Sequence, residues 1–162
     1  MALEPTLTWL QNLDFPTQIR ESGWLFPTIE TVHVFTLVLL VGSIMTVDLR
    51  LLGIVNKERS FRSLSSSILP WTWMCFGIAA TAGLLMFFSK AVTYYNNIPF
   101  RLKIVCLALA GINMVIFHVI GARNLEGWDT GKTPPGAKFS GAVSLALWTV
   151  IVASGRWVGF TT

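Results

Sequence analysis

Charge, cysteine and histidine are what this sequence has least of. Only 12% of its 162 residues are charged against 53% hydrophobic, and the mean hydropathy is +0.63, too apolar a balance for a water-soluble domain. One integral membrane domain over residues 1–162 is expected, with the lipid bilayer as its first partner. Two cysteines, Cys75 and Cys106, exclude a disulfide framework and a Cys-x-x-Cys redox or zinc motif. Placed early in the second and third apolar runs, they fall in opposite leaflets of antiparallel helices, so they are expected unpaired. A phosphate loop, a nucleophile triad and zinc-ligand spacing are all missing, which excludes the chemistry of soluble enzymes and makes a self-sufficient enzyme unexpected. The net charge of +4 is scattered in ones, twos and threes beside apolar runs, as topology signals are, so nucleic-acid binding is excluded. The opening MALEPTLTWL lacks a basic segment followed by an apolar one, and no cleaved signal peptide is expected.

Long apolar runs are what the chain does have. A hydrocarbon core about 30 Å thick needs about 20 mostly apolar residues at 1.5 Å rise each, and that requirement is met at about 27–52, 68–90, 101–122 and 138–159. The fold class expected is all-α: an up-and-down four-helix transmembrane bundle. Leu3, Leu7, Leu10 and Leu13 recur at helical spacing and fit a short interfacial helix before the first span, the alternative being a loosely ordered terminus. Pro27 suits a first helical turn and Gly53 a stop, while Pro70 is assigned to the first turn of the second span. The second span's centre, GIAATAG, offers small-residue spacing at Gly77, Ala80 and Thr81, or at Ala79 and Gly83; close helix packing and room for a flat cofactor both fit it.

Four spans put both termini on one side. The two connections opposite them carry Arg50, Lys57, Arg59, Arg62, Arg123, Lys132 and Lys138, against Arg20, Lys90, Arg101, Lys103 and Arg156 on the terminal side. This bias places the termini outside the cytoplasm.

Both histidines of the chain fall inside spans, where polar groups are costly to keep. His33 shares a helix face with Glu30, Thr36, Leu37 and Leu40; His118 shares one with Gly111, Met114, Val115, Gly121 and Ala122. Histidine flanked by small residues suits haem ligation, because the porphyrin must approach the helix backbone; a packed helix with one satisfied histidine looks the same. His33 comes early in its span and His118 late in a parallel one, so they occupy opposite leaflets, roughly 15 Å apart along the membrane normal. One haem iron cannot take both from one chain, which leaves a haem in each leaflet, ligands shared between subunits, or no haem. Met86 lies near the expected level of His33 and Met74 near that of His118 as possible second ligands, and Arg156, near the end of the fourth span, is counted with them as cofactor-binding. Glu30 and His33 also stand at the spacing of a di-iron pair, but no second such pair exists; the simpler role for Glu30 is to pair with Arg156. Asn113 is expected to bond between helices, and Asp48 to pair with Arg50.

The stretch SGWLFPTIETVHVFTLVLLVGSIMTVDLRLLG, the tryptophan-rich second span, the Asn113 and His118 span and the terminal GRW together resemble a family of small bacterial four-helix membrane proteins known as a domain of unknown function. The resemblance implies a bacterial inner-membrane protein and brings no activity or ligand residues with it. The leading functional expectation is therefore local: a haem b electron-transfer module with His33 and His118 as ligands. The alternative is an accessory or scaffold subunit, in a homo-oligomer or with other membrane subunits, and a small transporter comes third.

Overall fold

The computed structural model describes residues 3–55, 59–120, 129 and 132–161. Lys57, Gly121, Ala122 and Arg123 lie outside them. Four long apolar helices, α3 (Leu25–Leu51), α4 (Phe61–Ser89), α6 (Ile98–Ile120) and α7 (Pro135–Thr161), form the expected bundle. Three short ones, α1 (Glu4–Gln11), α2 (Asp14–Glu21) and α5 (Ala91–Asn96), gather where α3 begins and α4 ends. That end is called the terminal end below, and the opposite one the loop end.

The N-terminal segment is two helices rather than one. The chain breaks at Asn12 and Leu13, α1 buries none of its residues, and α2 buries Pro16 and Ile19. Arg20 ties this segment down by donating to the Gln11 and Ser89 carbonyls at 3.0 and 3.1 Å.

The second span starts at Phe61, seven residues before the expected boundary, so Pro70 is inside the helix rather than in its first turn. Serine chemistry is the reason. Ser60 caps α4 by accepting from the Ser63 N–H at 3.2 Å, and the Ser66 and Ser67 hydroxyls bond back to the Ser63 carbonyl, so a stretch that reads as a polar connection is helical. At the other end α4 stops at Ser89, and Asn97 then opens α6 by accepting from the Phe100 N–H at 3.0 Å. The asparagine side chain also donates to Thr161 Oγ1 at 2.8 Å, fastening the end of α7.

Packing is closest within the hairpins α3–α4 and α6–α7, and the faces of α3 and α7 join them. In lipid no hydrophobic force drives helices together, so close contact and polar bonds must. Gly141 supplies the contact: a Cβ there would stand 3.1 Å from Leu51 Cβ and 3.2 Å from the Asp48 carbonyl oxygen, which brings α7 onto α3. Thr72 donates to Ser43 at 3.0 Å between α4 and α3; Asn113 donates to the Ser140 carbonyl at 3.0 Å and accepts from its hydroxyl at 3.1 Å between α6 and α7. Each such pair contributes about 0.6–2 kcal/mol. Of the two small-residue seams in α4, only Ala79 with Gly83 packs inward; Gly77, Ala80 and Thr81 face out.

The central core is Leu40, Cys75, Cys106, Trp148 and Ile151, drawn from all four spans. Both cysteines are free thiols within this one cluster rather than in opposite leaflets. With α4 beginning at Phe61, Cys75 is its middle residue and not an early one.

Candidate functional site

Polar side chains inside the bundle divide into a layer near the terminal end, the apolar core just named, and a layer near the loop end. The terminal layer is built around His33. This residue continues the inward stripe of Thr36, Leu40 and Ile44 on α3, and its Nδ1 stands 2.7 Å from the Ala79 carbonyl of α4. A carbonyl can only accept, so Nδ1 carries the hydrogen, and in the neutral form of the ring the lone pair is at Nε2. That carbonyl is held in place by the helix, which fixes the tautomer and ring orientation in the way a ligating histidine requires. The ring lies against Gly83, where a Cβ would be 3.1 Å from Cε1. Ala79 and Ala82 are buried beside it.

The second member of the layer is Lys103, expected as a boundary charge on the terminal side. It is half-buried, its Nζ lies 3.5 Å from the position of a Cβ on Gly155 of α7, and it is within electrostatic range of His33. No carboxylate pairs with it among the described residues. The signal was present in the sequence: Lys103 stands at helical spacing with Cys106, Leu107 and Ala110, all of which pack into the core. His33 and Lys103 thus bring an imidazole and an unpaired cation together among alanines and glycines from α4 and α7.

The other expected site residues do not join them. His118 is exposed on the outer face of α6, its Nδ1 2.9 Å from the Met114 carbonyl of its own helix and its ring edge-on to Phe117. Met114 and Val115 of the same face are exposed, and nothing lies within 4 Å of a Cβ placed on Gly111. Small residues there mark an open surface. Lys103 and His118 are separated by roughly 22 Å along α6 at 1.5 Å per residue, so the two histidines do occupy opposite halves of the bundle. Met86 is half-buried, one turn beyond Gly83 on α4, whereas Met74 is 47% exposed. Arg156 is exposed, with its guanidinium 4.8 Å from the Phe160 ring centre. Glu30 is exposed and acts on Tyr94 instead of Arg156: burial, and then the Glu30 charge, push the Tyr94 phenol above its ordinary range. Among the described residues no group of three or more His, Cys, Asp or Glu is placed to hold a metal ion, so the Glu30 and His33 spacing builds no di-iron site.

At the loop end the expected ion pair of Asp48 and Arg50 gives way to something else. Arg50 is 1% exposed and spends its donors on the first and third connections between the spans: Nε and Nη2 bond the Arg59 carbonyl at 3.1 and 3.0 Å, Nη2 the Asp129 carbonyl at 3.1 Å, and Nη1 Thr133 Oγ1 at 3.4 Å. Asp129 completes the knot by accepting from the Ser60 hydroxyl at 2.6 Å and the Arg62 N–H at 2.8 Å. These two bonds, Ser60 first, hold its carboxyl below the usual aspartate range. Asp48 turns instead toward Ser144 of α7.

A family model described as a family of unknown function matches residues 19–161, a stretch that takes in all four spans with His33, Lys103 and the Arg50 knot. No curated protein and no solved structure matches the chain. The chain therefore belongs to this family of unknown function, DUF6644.

Proposed function

We propose that the protein is a membrane electron-transfer module that holds one haem b on His33. The observation that supports this reading is the His33 ring itself, anchored by Ala79 through Nδ1 so that Nε2 would be the nitrogen to bind a haem iron, within electrostatic range of a lysine that has no carboxylate partner among the described residues. Lys103 would neutralise a haem propionate, a role that needs a cation without a carboxylate of its own. Gly83 gives the His33 ring its close seat on α4, and Met86, half-buried one turn further along that helix, would be the candidate second ligand. His118, Met74 and Arg156 face outward and play no part in this site. The haem count proposed is thus one per chain rather than two. Purified protein, expressed with ample haem supply and reduced, should show a Soret band and a haem-to-chain ratio near one. A ratio of zero in protein purified with its native partners would contradict the reading and favour the accessory-subunit alternative, in which the outward His118 face meets a neighbouring copy or another membrane subunit.

We further propose a bacterial inner-membrane location with the loop end in the cytoplasm and the termini in the periplasm. Arg50 and Lys103 both lie within the bundle and leave the count of boundary charges, one from each side, so the bias toward the loop end stands. A cysteine introduced at Arg59 should resist an impermeant thiol reagent in intact spheroplasts, and rapid labelling there would reverse the orientation.

A further inference from the structure

Asp48 is 5% exposed, and its Oδ2 has no hydrogen-bond partner among the described residues. It stands on α3 one turn before the helix ends, where Gly141 brings α7 close enough to shut lipid and solvent out. The natural counter-ion is two residues away, but the Arg50 donors are taken by the Arg59 and Asp129 carbonyls and Thr133. From α7 the groups facing Asp48 are Ser144 and Gly141, neither of them charged. Polar groups from α4 and α6 in the same half are paired elsewhere, Thr72 with Ser43 and Asn113 with Ser140. No charged side chain reaches the carboxyl among the described residues.

A lone carboxylate in such a place costs several kcal/mol unless something neutralises it. A hard metal cation would need six or more oxygens, and among the described residues only the Ser144 hydroxyl is found beside the carboxyl. A proton needs none. We infer that Asp48 is a proton-binding site within the bundle, loading and unloading its carboxyl from the loop end, which α3 reaches within about 5 Å at 1.5 Å per residue. Intramembrane carboxyls of this kind are the usual stations of proton relays. The inference is independent of the haem proposal, since it uses neither His33 nor Lys103.

Infrared spectroscopy of the full chain in liposomes, recorded as difference spectra across a pH series, tests it. Wild type should show the C=O band of a buried carboxylic acid that shifts in heavy water, shrinks reversibly as pH rises, and is lost in Asp48→Asn. Carboxyl-labelled aspartate should shift the same band in wild-type protein, which keeps the test open if the variant does not fold. Absence of the band at every pH would overturn the site, and so would a band that stays constant to the highest pH at which the bundle remains folded.

Discussion

Arg50→Met should destabilise the bundle by about 2–5 kcal/mol, since each buried acceptor left without its donor costs about 1–3 kcal/mol. The side chain is almost fully enclosed, and its loss leaves the Arg59 and Asp129 carbonyls and the Thr133 hydroxyl without their donor. The variant should lose its folded, monodisperse state in mild detergent at a markedly lower temperature than wild type. Arg50→Lys should recover less than half of the difference, because an ammonium cannot serve two carbonyls and a hydroxyl from one planar fork. Wild-type thermal stability in Arg50→Met would show that the knot is ornamental. Asp129 adds a pH dependence. Its carboxyl is depressed in the folded state, so its contribution is complete above the ordinary aspartate range and is lost as pH falls through the lower, folded value. Asp129→Asn should therefore blunt the acid sensitivity of the loop end.

The spans were legible because lipid imposes length and apolarity directly on the sequence. Helix ends were less so. The stretch from Ser60 to Ser67 reads as a loop by composition, and only the bonds of Ser60, Ser66 and Ser67 to local backbone make it two more turns of α4. The partners of Arg50 could not be read at all, since Asp129 is 79 residues away and contributes a carbonyl that every residue type has. Lys103 was visible yet misassigned. Directly before the uncharged run that opens at Ile104 it looks like a boundary charge, and only its phase, shared with Cys106 and Ala110, shows that it points inward. The reverse error came from His118, whose glycine neighbour suggested a packed face. In a membrane the outside is as apolar as the inside, so small residues and hydropathy do not tell the two faces of α6 apart. Inward polar residues do: Asn113, bonded to Ser140 of α7, lies about 140° round the helix from His118 at 3.6 residues per turn.

That asymmetry predicts the largest functional effect. His33→Ala should abolish haem binding, because it removes the axial nitrogen and leaves no other histidine inside the bundle. His118→Ala should retain it, because that ring is exposed and bonded to its own helix. Lys103→Gln should keep the iron ligand while removing the compensating charge, so haem is held more weakly and its potential changes, with the Soret band still present. The most direct measurement is the haem-to-chain ratio of wild type, His33→Ala and His118→Ala, purified in parallel as folded protein. The account predicts about one, zero and one; equal ratios in all three, or a loss confined to His118→Ala, would contradict it.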